Sequence, residues 1–108
     1  MKATVRRFRA NYRKQDIFLA VPDAVAKLKG FAPAGSDEDS LSFKAGVSMN
    51  SWGELVKVEI KELSEGCELR ISSQCKLPTL DDNGKNSENV SKVIHAICEE
   101  LKAYSAIN

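Results

Sequence analysis

The sequence predicts an α+β domain in which a four-stranded antiparallel sheet carries two helices on one face, in the order β-α-β-β-β-α. Three segments in the middle of the chain alternate apolar and polar residues and are separated by turn residues. Two other segments repeat apolar residues three and four positions apart, as one face of a helix requires. With 108 residues there is material for one core, so residues 1–108 are expected to form a single domain.

The first strand and the first helix are expected near the start of the chain. The segment "KATVRRFRANY" is strand-like, but its arginines interrupt the alternation, which is typical of an edge or a bulge. The segment "QDIFLAVPDAVAKLKG" has helical spacing, with Asp16 as a possible N-cap and Gly30 as its end. Because proline lacks a backbone N–H, Pro22 predicts a break in this helix. Residues 12–22 could instead contain an extra strand.

The rest of the chain is expected to be a meander followed by a helix. The segment "APAGSDEDS" is predicted to be a loop, because proline, glycine and serine are frequent in it. Alternating strands over residues 41–47, 56–61 and 68–72 then form an antiparallel meander. The last helix has an apolar stripe from Val90 to Tyr104, and Asn86 or Ser87 is its expected N-cap.

Charge and composition argue against several kinds of partner. Six basic residues precede the first acid, but no ladder of aromatic residues accompanies them, and the predicted exposed sheet face mixes both signs. This argues against nucleic acid as a partner. No apolar segment has the length of a signal peptide or a membrane span, so a cytoplasmic protein without membrane association is expected. An odd number of cysteines, three, also favours a reducing compartment.

The residues with catalytic or metal-binding chemistry do not form a convincing site in the sequence. Cys67, Cys75, His95 and Cys98 have the composition of a zinc site, but the first two lie at opposite ends of one predicted strand, roughly 26 Å apart at the usual rise. His95 and Cys98 could pair at helical spacing, yet no third residue is evident to orient the imidazole. We therefore predict no metal, no cofactor, no catalytic residue and no enzyme, and keep an enzyme that uses Cys98 or an acidic loop as the minor alternative.

Two loops are more specific than folding requires. The motifs "SWGE" at residues 51–54 and "GKNSENV" at residues 84–90 are separated by two strands, which carry the chain to the far end of the sheet and back. The loops can therefore meet, and Trp52 could cover the end of the core while Glu54 pairs with Lys85. Alternatively, the helix start could hold a phosphate or a carboxylate. The candidate binding residues are Trp52, Gly53, Glu54, Gly84, Lys85, Asn86 and Asn89.

Together the two motifs resemble a family of small bacterial proteins of uncharacterised function. Members of that family pair a Ser-Trp-Gly-Glu turn with a Gly-Lys-Asn-x-x-Asn-Val helix start, and the resemblance covers roughly residues 41–101. It implies a compact fold similar to helix-grip or TATA-binding-protein-like domains, and it implies no reaction. Members usually have an aromatic residue before the glycine of the second motif, where this sequence has Asn83.

Two functions follow as expectations. The first is a non-catalytic interaction or assembly module of a small cytosolic bacterial protein, which binds a protein partner or a second copy through the sheet face or edge. The alternative is a small-ligand or anion binder that uses the Trp52 turn and the helix start at Lys85 and Asn86.

Overall fold

Five antiparallel strands form one sheet in the computed structural model, which describes residues 3–46, 53–75 and 84–107. The strand order across the sheet is β1-β5-β4-β3-β2, so the first strand lies beside the last. The elements are β1 (Ala3–Ala10), α1 (Lys14–Ala26), β2 (Phe31–Ser36), β3 (Ser40–Ala45), β4 (Glu54–Glu62), β5 (Cys67–Cys75) and α2 (Lys85–Leu101).

The predicted four-stranded sheet and the order β-α-β-β-β-α are wrong, because the segment expected to be a loop contains all of β2 except its first residue, Phe31. The chain runs β-α-β-β-β-β-α, and β2 pairs with β3 at the edge of the sheet. An edge strand bonds to one neighbour only, so it tolerates Pro33, and the register shifts between Pro33 and Gly35 as at a bulge. All of β2 after Phe31 is exposed, so no apolar alternation marks it in the sequence.

The first helix is continuous from Lys14 to Ala26, with Pro22 inside it. The expected break is therefore wrong, and residues 14–22 are helix rather than strand. Arg13, not Asp16, is the N-cap residue, and the helix ends before Gly30. Tertiary packing outweighs the hydrogen bond that proline removes, because a full apolar stripe of this helix is buried in the core. The stripe consists of Ile17, Ala20, Val21, Ala24 and Val25.

Alternation along the strands separates the two faces of the sheet. In β4, Val56, Val58 and Ile60 are buried, while the residues between them are partly exposed. The helices contact each other and the sheet, so the core lies between the helices and this apolar face. The predicted polar face is confirmed: Arg70 of β5 lies directly across from Glu59 of β4 and forms an ion pair with it. Within the described residues, neither helix has both the length and the apolar character that crossing a bilayer requires.

The turn between β4 and β5 closes against the end of β1. Gly66 has φ +74°, and its carbonyl accepts a hydrogen bond of 3.0 Å from the N–H of Leu63. A Cβ atom on Gly66 would lie 2.6 Å from the carbonyl oxygen of Ala10. Both the left-handed backbone and the close approach therefore require glycine here.

We expect Gly66→Ala to lower the free energy of unfolding by at least about 2 kcal/mol, because it adds a steric contact to a strained φ. Gly30→Ala is the matched control, since Gly30 has φ +87° but nothing within 4 Å of a new Cβ. The control should lower the free energy of unfolding by about 1 kcal/mol, because only the left-handed backbone is strained by the new side chain. Chemical denaturation measures both, and equal losses would show that the contact with Ala10 is unimportant.

Candidate functional site

The start of α2 lies over the adjoining ends of β4 and β5, where Glu54 is directly opposite Cys75. Gly84 is the N-cap residue, with φ 79°, and as a glycine it has no side chain with which to cap the helix. Asn86 and Ser87 are therefore not the cap that the sequence suggested. Asn86 is instead 0% exposed and faces the sheet, where its Oδ1 accepts a hydrogen bond of 2.8 Å from Ser73 Oγ.

One turn later, Asn89 continues the same polar contact between α2 and the sheet. Its Nδ2 donates to Glu54 Oε1 at 2.8 Å and to Ser73 Oγ at 3.2 Å. Positions three apart lie on one side of a helix, so both asparagines reach the sheet together. Glu54, Ser73, Asn86 and Asn89 are all buried, and we call these four residues the buried polar network.

The expected ion pair between Glu54 and Lys85 is not among the ion pairs of the described residues. Lys85 Nζ lies 3.9 Å from Glu88 Oε2 instead, and Lys92 Nζ lies 2.8 Å from Glu88 Oε1. The hydrogen bond from Lys92, with the positive charge of Lys85, lowers the pKa of the Glu88 carboxyl group below its ordinary value. Glu88 thus holds two lysines together on the exposed side of the helix start.

The structure bears on the two predicted loops only in part. Gly53 and Gly84 have φ values of 78° and 79°, a left-handed backbone conformation that favours glycine at both positions. Trp52 lies outside the described residues, and its role as a cover over the end of the core stays a prediction. Of the seven candidate residues, Glu54, Lys85 and Asn89 line one common pocket.

This pocket has a volume of about 330 Å³ and lies where the end of α1, the β2–β3 hairpin, the start of β4 and the first turns of α2 meet. We call it the lysine pocket, because three lysines among the described residues line it. Sequence reasoning missed Lys29 and Lys92 as members. Residues 85, 88, 89 and 92 share one helix face, and that spacing is the signal that could have identified Lys92. The pocket is lined by Lys29, Gly30, Phe31, Gly46, Glu54, Lys85, Glu88, Asn89 and Lys92.

Glu54 links the lysine pocket to the buried polar network. Its side chain lines the pocket, yet the residue is only 6% exposed. The backbone of Gly46 closes over it: a Cβ on Gly46 would lie 3.2 Å from Glu54 Oε1 and 3.6 Å from Oε2. Gly46 has φ +70°, and its N–H donates to the carbonyl of Gly30 at 3.1 Å. Across the described ranges, no lysine or arginine lies within ion-pair distance of this carboxyl group.

The cysteines do not form a second site. Cys67 and Cys75 are the first and last residues of β5, so they lie too far apart to share a zinc ion. Both are buried, whereas Cys98 is exposed on α2. Burial raises the pKa of the Cys67 thiol, and burial followed by the charge of Glu99 raises that of Cys98. A nucleophilic cysteine needs the opposite shift. In the part of the chain that the structure describes, no three metal-ligating side chains are grouped.

Comparison with known proteins finds the fold but no sequence family. Neither a family model nor a curated protein matches the chain. A protein from Mesorhizobium loti matches with a TM-score of 0.69 at 10% identity, over 96% of this chain and 99% of that chain. An uncharacterised protein from Rhizobium leguminosarum matches with 0.64 at 11%, over 95% of each chain. One from Bacillus thuringiensis matches with 0.56 at 11%, over 94% and 95%.

These similarities show a compact α+β fold that is shared with uncharacterised bacterial proteins. At such identities they show the fold alone and carry no information about the lysine pocket. The motif family and its helix-grip or TATA-binding-protein-like fold, which the sequence suggested, stay predictions.

We expect Asn86→Ala to lower the free energy of unfolding by about 2 kcal/mol, because it leaves the buried Ser73 hydroxyl without its acceptor. Ser87→Ala is the control, since Ser87 is the exposed neighbour in the same helical turn and its loss should change stability by less than about 0.5 kcal/mol. Urea denaturation measures both variants. A small, equal effect would mean that the buried polar network does not hold α2 to the sheet.

Proposed function

We propose that this chain is a non-catalytic protein that binds a small ligand through an acidic group of that ligand, in the lysine pocket. The observation that carries the proposal is the convergence of Lys29, Lys85 and Lys92 on one pocket. Lys29 lies in the connection between α1 and β2, whereas Lys85 and Lys92 lie on α2, so the fold rather than a local run of charge brings them together. The volume of the lysine pocket, about 330 Å³, falls at the lower end of the range for small-molecule sites.

The electrostatics of the helix start support an acidic group at this place. The first turn of α2 carries the positive end of the helix dipole, which favours negative charge nearby. Lys85 and Lys92 are 61% and 51% exposed in their side chains, so they can move toward a ligand without leaving a buried position. Glu88 already holds both, and a bound acid would share them with it or replace it.

The non-catalytic part of the proposal rests on the thiols and on the surroundings of the pocket. The pKa of Cys98 is raised, as is that of Cys67, so neither thiol is activated for attack. Among the described residues that line the lysine pocket there is neither a cysteine nor a histidine. Cys67 and Cys75 lie at opposite ends of one strand and do not bridge, which is compatible with the cytoplasm as the proposed location.

Titration with inorganic phosphate, followed by two-dimensional NMR of the backbone amides, tests this proposal. We expect the amide signals of Gly30, Gly46 and Asn89 to shift at millimolar phosphate. The double variant Lys85→Met, Lys92→Met should weaken binding by about fivefold to thirtyfold, because each exposed pair contributes up to about 1 kcal/mol.

The control is Lys57→Met, which removes a positive charge on the opposite face of the sheet, where Lys57 pairs with Ser42 and Ser72. It should leave the phosphate affinity unchanged. If phosphate and simple carboxylates shift no signal of the pocket, or if Lys57→Met weakens binding as much as the double variant, the proposal fails.

The interaction-module hypothesis expects a protein partner on the sheet face or edge, and as a second candidate function we propose that an acidic partner docks on the polar face. Arg7 lies directly opposite Arg70, and like charges in that position destabilise a strand pair. Glu59 neutralises Arg70, whereas Arg7 has no ion-pair partner among the described residues. A carboxylate of a partner would relieve this repulsion. Pairing through the sheet edges is less favoured, because β1 carries exposed arginines and β2 carries Pro33 and a bulge.

An oligoglutamate peptide is the probe for this second candidate, with fluorescence anisotropy at low salt as the measurement. Arg7→Gln should weaken binding by about fivefold, the effect of roughly one ion pair. Arg6→Gln is the matched control, because Arg6 is the neighbouring exposed arginine but pairs with Ile71, on the other side of the strand. Equal weakening by both variants would show general charge attraction and would contradict a defined docking site.

A further inference from the structure

We propose that the ligand of the lysine pocket carries an ammonium group as well as an acidic group, and that Glu54 recognises the ammonium group. This inference rests on the proposed function and specifies the chemical class of its ligand. The supporting observation is the distribution of charge inside the pocket: the carboxyl group of Glu54 is buried, whereas Lys85 and Lys92 are exposed.

The inner part of the pocket is acidic. Glu54 is 6% exposed, and its Oε1 accepts one hydrogen bond, from Asn89. Among the described residues neither oxygen has a cationic partner, and no side-chain donor bonds to Oε2. A buried carboxyl group that is not paired with a cation costs free energy, and a positively charged donor supplied by a ligand would offset that cost.

The outer part of the pocket is basic and exposed. Lys85 and Lys92 lie there with Glu88, and Lys29 approaches from the segment after α1. A simple anion would meet the lysines but also the negative field of Glu54, whereas a simple amine would meet Glu54 but also three positive charges. A molecule with both groups matches both regions, which is electrostatic complementarity within one small site.

The backbone around Glu54 makes this arrangement specific. Gly46 lies so close that a Cβ there would be within 3.6 Å of both carboxyl oxygens, and Asn89 donates a hydrogen bond of 2.8 Å to Oε1. The carboxyl group is therefore held by the fold before a ligand arrives, and little ordering entropy is lost on binding. A pocket of about 330 Å³ admits a molecule the size of an amino acid rather than a peptide.

The test compares linear ω-amino acids with chains of three to six carbons against the carboxylic acids and the amines of the same lengths. Affinity is measured by the same amide NMR titration as for phosphate, with signals of Gly46 and Asn89 as reporters. We expect the best amino acid to bind about tenfold more tightly than the matching acid or amine, as one additional charge-assisted contact would give.

Glu54→Gln and Glu88→Gln form a matched pair of variants, because each removes one negative charge from the pocket. We expect Glu54→Gln to weaken amino acid binding about tenfold while it leaves or strengthens the binding of the plain acid. Glu88→Gln, which changes only the exposed pair with the lysines, should strengthen both. A variant that merely unfolds weakens both ligands alike, and thermal melting of each variant identifies that case.

Three outcomes separate this inference from the proposed function. If Glu54→Gln weakens binding of the amino acid but does not weaken binding of the plain acid, recognition of the ammonium group is supported. If acids and amino acids bind equally and respond equally to Glu54→Gln, the inference is overturned while the anion-binding function stands. If no acid, amino acid or phosphate shifts the pocket signals, both are overturned.

Discussion

The contact between Asn89 and Glu54 determines how the second half of the molecule is assembled. It joins the second turn of α2 to the first residue of β4, and Ser73 and Asn86 extend it to β5. Polar groups that are removed from water must find partners with correct geometry, unlike apolar side chains, which tolerate many arrangements. A helix that slid or rotated on the sheet would leave several buried groups unpaired. The network therefore specifies one position of α2, while apolar packing supplies most of the driving force.

The same contact explains why a pocket lies beside the helix start rather than elsewhere on α2. Farther along, Val90, Val93 and Ile97 are completely buried, and among the described residues no charged side chain of this part of the helix is buried with them. At its beginning the inward residues are asparagines that reach Glu54 and Ser73, and the neighbouring face of the same turns carries lysines. Buried polar and exposed basic groups thus meet at one point, which is where recognition of a charged ligand is physically most favourable.

Sequence reasoning predicted the parts of the fold that depend on periodic burial. The strands β3, β4 and β5 and the apolar stripe of α2 were correctly located, because in them alternate or helically spaced residues face the core. It missed β2, whose residues after Phe31 are exposed and which includes Pro33, so neither period nor propensity marks it. Sequence reasoning also predicted a break in α1 at Pro22. The rule for proline considers only the local backbone, whereas the burial of Val21 and Val25 stabilises the continuous helix.

The candidate site was predicted by composition and only partly by geometry. The sequence marks five residues of the two motifs as candidates: Gly53, Glu54, Gly84, Lys85 and Asn89. The predicted ion pair between Glu54 and Lys85 rested on the expected proximity of the two loops and not on a known geometry. The sequence predicts Asn86 as a cap because it lies near a helix start, whereas its side chain faces the sheet and accepts a hydrogen bond from Ser73. The pairing of Asn89 with Glu54 depends on the register of β4 against β5 and on the rotation of α2 about its axis. Tertiary packing determines both, so local sequence does not reveal them.

The hydrogen bond to Asn89 does not by itself require an acid at position 54. A carboxyl group whose only role was to hold α2 could be replaced by glutamine, which accepts the same hydrogen bond from Asn89 without the cost of burying a charge. The placement of an acid under Gly46, at the floor of a pocket bordered by lysines, has a physical reason if the charge itself is used. Recognition of a cationic group is such a use. In that case Glu54 holds α2 to the sheet through Asn89 and also binds the ligand.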